Sequence, residues 1–272
     1  MLLYRDDGRS KLMAKKRKKA FSSTERKRSI FAFIFLSCAA LVILGIVLWT
    51  SLPHNRTVTP IGTACGLEIT REELLLYVEE YRAEAAQYFA EQYGARVDNG
   101  FWTASFGGEI PSETVKKKAL DALRLCKAEQ KLMLEYGVIQ DAGYTHFLQE
   151  LSAENQRRAT AVSHGDIIYG PEQYKERDYF LLLHEKRKNE LLQAMEKAEP
   201  VTEAEKRAFY ERSKQEQSAF LMEDGICRDY EDVELLLEKK LVEQRYQKYL
   251  TQILTSAEIN IDHGQYQKIT ID

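Results

Sequence analysis

"FWTASFGGEIPSETVKKKAL", residues 101–120, joins two strongly helical stretches and sets Phe101, Trp102 and Phe106 beside the pair Gly107-Gly108. Read as a phosphate-cradling loop it would announce a nucleotide-binding fold; read as a corner between helices it belongs to a mainly α protein. A phosphate loop needs glycines at defined spacing after a strand, backed by Lys-Ser/Thr or by an acidic ribose partner. "SFGGEIPSE" follows a helical stretch and has neither. The glycines and Pro111 serve to turn the backbone and open the next helix. The aromatics allow two readings. They fold back as a plug over the neighbouring helices, because leaving Phe101 and Trp102 in water forfeits roughly 1.5–3 kcal/mol apiece, or they form a surface that receives apolar side chains from a partner.

Helical signals continue on both sides of this corner. Thr70 and Glu73 make a T-x-x-E capping box. Leu74, Val78, Tyr81, Ala85 and Tyr88 then step by four and three as an apolar stripe, and Gly94 offers a left-handed stop. A second helix opens near Ser112, carries Val115, Ala119, Ala122, Leu123, Cys126 and Met133, and stops at Gly137; its apolar residues spread widely, which predicts a central position. Further helices are expected over 141–163 and 172–197, after a second capping box at Thr202 and Glu205, and over 230–256, where Val242, Tyr246, Tyr249 and Ile253 share one side. Only "TVTPIGTACGLEI" and the alternating tail "INIDHGQYQKITID" look extended, and they could pair. The expectation is a mainly α chain with at most one small pair of strands.

The N-terminal end sets the compartment. Residues 1–28 hold 11 Lys/Arg against 3 Asp/Glu, a net of +8, and residues 29–52, "SIFAFIFLSCAALVILGIVLWTSL", carry no charge. Twenty-four residues at helical rise cover about 36 Å, enough for a hydrocarbon core of roughly 30 Å with some tilt. The flanking cations predict a cytoplasmic tail, 1–28, a single transmembrane helix, 29–52, and an extracytoplasmic remainder joined by a linker, 53–60. "KKRKK" standing alone would suggest nucleic acid, but beside an apolar span topology is the cheaper explanation. No small-x-small cleavage site closes the span, which favours a retained anchor over a signal peptide, and "FLS" before Cys38 matches a lipoprotein processing site only loosely.

From residue 53 onward there are 28 Lys/Arg against 39 Asp/Glu, a net of −11, a balance that disfavours polyanions such as nucleic acid. Cys65, Cys126 and Cys227 are too few for a disulfide scaffold; Cys126 reads as a buried thiol, with a bridge to Cys227 lacking support. His54, His146, His164, His184 and His263 are scattered, and "HEKRK" at His184 lacks the second histidine that would place two metal ligands one turn apart. No nucleophile elbow or Walker loop is present. No catalytic residue, cofactor or metal ligand is assigned, and the chain is read as a binder.

The order of segments between residues 61 and 256 resembles the SurA/PrsA-type bacterial foldases, in particular the helical chaperone domain flanking their parvulin prolyl isomerase module. The resemblance rests on "CGLEITREEL", "FWTASFGGEIPSETVKKKALDAL", "KLMLEYGVI", "ENQRRA" at 154–159, "IIYGPEQY" at 167–174 and "VTEAEKRAFYE" at 201–211. It implies a helical SurA/PrsA-like chaperone domain over 61–272 that binds unfolded or exported polypeptides by burial, with no nucleotide. In that family the isomerase follows the segment resembling "VTEAEKRAFYE"; here about 20 residues, 212–230, precede the closing helix, well below the roughly 40 that even a stapled domain requires. The isomerase module is therefore expected to be missing. Tyr88, Phe89, Tyr93, Phe101, Trp102, Phe106, Tyr144 and Phe147 are the candidates for a client surface, each with a place in the core as its alternative. The competing expectation is a membrane-anchored helical scaffold or assembly subunit for one dedicated partner, and a third reading keeps prolyl isomerase activity through an unrecognised site.

Overall fold

The computed structural model describes residues 57–223 and 226–271. The expected cytoplasmic tail, the transmembrane segment and the start of the linker lie outside the described residues. Among the described residues no helix is long and apolar enough to cross a membrane.

The chain runs β1 (Pro60–Ala64), β2 (Leu67–Thr70), α1 (Arg71–Tyr93), a 3-10 turn (Phe101–Thr103), α2 (Pro111–Glu135), α3 (Tyr144–His164), α4 (Glu176–Ala198), α5 (Glu203–Gln215), a second 3-10 turn (Ala219–Leu221), β3 (Met222–Glu223), β4 (Ile226–Cys227), α6 (Tyr230–Ser256), β5 (Ile259–Ile261) and α7 (His263–Gln267). It is mainly helical. Both capping boxes form: the Thr70 hydroxyl accepts from Glu73 N–H at 3.2 Å while the Glu73 carboxylate accepts from Thr70 N–H at 3.0 Å, and Thr202 and Glu205 repeat the exchange. Gly94 closes α1 in the left-handed conformation, as its position after the apolar stripe predicts.

The expectation of at most one small pair of strands is corrected. β1 pairs antiparallel with both β2 and β5, giving a three-stranded sheet in the order β2-β1-β5, and β3 and β4 form a separate two-residue ladder. The segment 57–69 therefore contains two strands. A turn at Cys65-Gly66, with φ of 57° and 80°, folds one onto the other. The pairing of this segment with the tail holds, although the tail is a strand only over Ile259–Ile261; Asp262 then caps the short α7. Gly62 sits where β5 crosses, and a β-carbon there would lie 2.0 Å from the Asn260 carbonyl oxygen, so only glycine admits this approach.

α2 is central, as its broad apolar surface predicts: it packs along α1 and also meets the sheet, α4 and α6. Its N-terminal half, with Val115, Ala119 and Leu123, buries against Leu74, Val78 and Ala85 of α1, Ile61 and Ile69 of the sheet, and Ile269 and Ile271 of the tail. The C-terminal half, with Ala128, Leu132 and Met133, meets Leu191 and Met195 of α4 and Val242, Tyr246 and Leu250 of α6. A further cluster joins α5 to the start of α6 through Phe209, Tyr210, Leu221, Tyr230, Val233 and Leu237. The described residues of the connection 216–229 between those helices include the second 3-10 turn and the β3–β4 ladder, pinned where Tyr210 Oη donates to the Arg228 carbonyl at 2.9 Å.

Two charged groups tie the helices from inside. Lys127 of α2 lies fully buried with its Nζ 2.6 Å from the Glu73 carboxylate of α1. Farther along α2, Glu129 accepts from His184 Nε2 of α4 at 2.5 Å and from the Tyr246 hydroxyl of α6, while Lys188 Nζ stands 3.5 Å away. Cys126 Sγ lies 3.7 Å from the other ring nitrogen of His184. Burial alone would depress the His184 pKa, but the Cys126 sulfur and the Glu129 carboxylate outweigh it and raise the imidazole to about 10. His184 is thus an interior cation in a three-helix network, which its position in "HEKRK" does not disclose.

Candidate functional site

The corner between α1 and α2 answers the question posed by residues 101–120. Phe89, four residues after Ala85 on the buried face of α1, is a hub whose ring lies 5.2 Å from Tyr88, 5.6 Å from Tyr93, 6.1 Å from Phe101 and 5.6 Å from Phe106, centroid to centroid. All four pairs are edge-on or tilted, the arrangements the ring quadrupoles favour. Phe106 and Glu109 exchange two backbone hydrogen bonds, at 2.8 and 3.0 Å, closing a tight turn whose centre is Gly107-Gly108 with φ of 60° and 92°. A β-carbon on Gly107 would come within 2.7 Å of the Tyr93 ring, so the glycine lets the turn lie flat on the aromatic cluster.

Of the eight residues expected on a client surface, six meet here. Phe89 and Phe101 are buried, and are corrected to packing residues because the turn and the 3-10 segment close over them. Trp102 and Phe106 are half-buried, with the Arg82 guanidinium 5.2 Å over the indole. Tyr88 and Tyr93 remain 39 % and 37 % exposed, and both hydroxyls donate to the same Glu109 oxygen, at 2.8 and 3.0 Å. That carboxylate pushes the Tyr88 phenol up to about 12. The corner is therefore both a plug and a rim: two phenylalanines seal it, and two tyrosines, a tryptophan and a third phenylalanine present partial ring faces to solvent.

Tyr144 and Phe147 are not part of this rim. Both are buried at the start of α3 against Phe180 of α4 and Cys126 of α2, and the Tyr144 hydroxyl donates to Glu176. They are corrected to core residues, since Tyr144 opens α3 where it docks on α2 and α4.

A second exposed apolar site escapes the sequence reading. Between α3 and α4, residues 165–175 leave Ile167 86 % and Tyr169 88 % exposed, and Val162 at the end of α3 is exposed as well. The loop is held from beneath by Arg158, itself buried, whose guanidinium donates to the carbonyls of Tyr169 at 3.0 Å and Pro171 at 2.6 Å, to Tyr174 Oη at 3.1 Å and to the Glu154 carboxylate at 2.8 Å. It also stacks 4.3 Å over the Tyr174 ring. The outer face of α3 and the start of this loop's return, Glu172 and Gln173, bound an open groove of about 530 Å³ lined also by Ser152, Asn155, Gln156, Ala159 and Val162. The signal available in the sequence was "IIYGP": a Gly-Pro pair turns the chain sharply enough to leave the preceding apolar residues outside.

Among the described residues, no group of three or more His, Cys, Asp or Glu side chains is arranged to hold a metal ion.

No family model matches the chain, and no solved structure matches it. A chaperone for lacto-N-biosidase from Bifidobacterium longum subsp. longum is 28 % identical over 102 residues, which are 38 % of this chain and 36 % of that protein. The chain thus spans about a third of the length of the curated relative it matches. At a coarse level the likeness is to a chaperone, a protein that engages another polypeptide.

Proposed function

We propose that this chain is a membrane-anchored extracytoplasmic chaperone that holds unfolded exported polypeptides, related in segment order to the SurA/PrsA-type foldases and lacking their isomerase module. The observation that carries the reading is the aromatic rim of Tyr88, Tyr93, Trp102 and Phe106 standing on a buried phenylalanine plug. A fixed platform needs little ordering when a client arrives, so apolar contact converts to affinity with small loss. Two or three Phe- or Leu-sized contacts at about 1.5–3 kcal/mol each, less the cost of ordering the client, leave micromolar to millimolar binding that releases without nucleotide. The relative's description as a chaperone supports the same class of activity.

Tethering follows from the uncharged span 29–52 behind its basic tail. An anchored holder would meet chains as they emerge from the membrane, before aggregation. At the point where the resembling family carries its isomerase, the described residues of the connection 216–229 form a short turn and a two-residue ladder, and the reading takes this chain to act by holding rather than by isomerising.

The rim is tested by replacing Tyr88, Tyr93, Trp102 and Phe106 together with Ser in the full-length protein and measuring delay of aggregation of two or more unrelated denatured clients. The expected outcome is loss of most of the delay with the helical circular dichroism retained. Unchanged protection in a folded variant would sink the placement. A second reading, a holder dedicated to one partner, is favoured by the relative's description, which names one enzyme. Protection confined to a single client among many would select it.

A further inference from the structure

We propose that the groove between α3 and the Arg158-held loop is a second client site, one that takes the extended, uncharged backbone of an unfolded polypeptide. This rests on the chaperone reading and adds to it a binding chemistry that the aromatic rim cannot supply.

The groove's lining is rich in neutral hydrogen-bonding side chains: Ser152, Asn155, Gln156 and Gln173, with Ala159 and Val162 between them and Glu172 the one charged member. Asn155 already shows what an amide here can do. Its side-chain oxygen accepts from Tyr174 N–H at 2.8 Å and its nitrogen donates to Tyr174 C=O at 3.0 Å, gripping both polar groups of one backbone unit. Gln156 and Gln173 carry the same donor and acceptor atoms and have no side-chain partner among the described residues. A strand-like segment laid along the outer face of α3 would present backbone groups to these amides, because an extended chain has no partners of its own for its N–H and C=O. A sparsely charged lining suits that occupant; anionic or cationic ligands would want compensating charge, and Glu172 alone does not provide it.

The wall itself is built to stay in place. Arg158 holds the Tyr169 and Pro171 carbonyls, so the chain entering Glu172 and Gln173 is fixed by a buried guanidinium. Ile167 and Tyr169 are exposed in the same loop, 86 % and 88 %, and Tyr169 is the residue whose carbonyl Arg158 holds. Aromatic anchors at a pre-ordered site are where binding energy concentrates.

The test uses the full-length protein in lipid nanodiscs, with two probes followed by fluorescence anisotropy. One is reduced, carboxymethylated α-lactalbumin, a permanently unfolded chain; the other is a labelled nine-residue uncharged peptide, made with ordinary amides and with alternate amides N-methylated. The N-methylated peptide is expected to bind about tenfold more weakly or worse, because two or three backbone donors are lost. Ala159→Trp, at an exposed position in the groove, and the pair Gln156→Ala with Gln173→Ala are each expected to weaken the ordinary peptide by about tenfold, at unchanged helical circular dichroism. Equal affinity for both peptide forms, or unaltered affinity in both variants, would overturn the groove assignment even if α-lactalbumin still bound. Failure of the wild-type protein to bind α-lactalbumin at all would instead remove the chaperone reading on which the proposal stands.

Discussion

Gly107 carries more of the corner than any aromatic beside it, because the turn can rest on Tyr93 only where no β-carbon intervenes. Gly107→Ala must move that ring and also hold alanine at a φ near 60°; a loss of about 1–3 kcal/mol is expected in urea denaturation, with the exposed ring of Tyr93 displaced. The neighbouring side chains show why the sequence reading was half right. Stepping from Ala85 by three reaches Tyr88 and by four reaches Phe89; both steps fit a helical stripe, and the packing of the 3-10 turn selects Phe89 for the interior. His184 was illegible for another reason. Its partners, Glu129 and Cys126, lie on a different helix, so nothing in its own neighbourhood announces a buried pair. Its consequence for pH is direct. With a folded pKa near 10 against an ordinary 6.5, the imidazolium contributes stability that is fully present below pH 6.5 and is lost as pH rises through 10. Stability measured from pH 6.5 to 9 should therefore decline, and His184→Gln should flatten the decline; an equally steep slope in the variant would show that other groups cause it.

At the scale of elements, helices were easy to read and strands were not. Capping boxes at Thr70 and Thr202 and the stop at Gly94 are local signals, complete within a few residues, and each formed where the spacing placed it. The β1–β2 turn was hidden because Cys65 occupies a left-handed position usually marked by Asn or Asp, so two strands read as one. The joint between α1 and α2 is more than apolar. Lys127 and Glu73 are both withdrawn from water, and removing one leaves the other buried and uncompensated: Lys127→Met alone is expected to cost about 3–5 kcal/mol. Pairing it with Glu73→Gln should recover part of that loss, less the capping contribution of Glu73, and a double-mutant cycle in denaturant reads the coupling. Additive costs would show that the two charges do not stabilise one another. The candidate site was legible at the α1–α2 corner, where a run of aromatics sits beside paired glycines. It was illegible at the α3–α4 loop, whose exposure depends on Arg158, a residue that sequence alone presents as one more surface cation.

For the molecule as a whole, the last described elements hold the first. β5 closes on β1, and Ile269 and Ile271 fill the core beneath α1 and α2. A chain ending at Ser256 would lack the strand and both isoleucines; with roughly 1.5–3 kcal/mol for each buried side chain, a loss of several kcal/mol is expected, seen as a lower urea midpoint and new binding of a hydrophobic dye. An unchanged midpoint would mean that the tail merely decorates the surface. The same closure constrains how the protein comes into being. A ribosome delivers β1 about two hundred residues before β5, so the central sheet strand waits with one edge unpaired while those residues are made. Throughout that interval the apolar seam between α1 and α2 lacks its lid, and the nascent chain is itself a species in need of shelter.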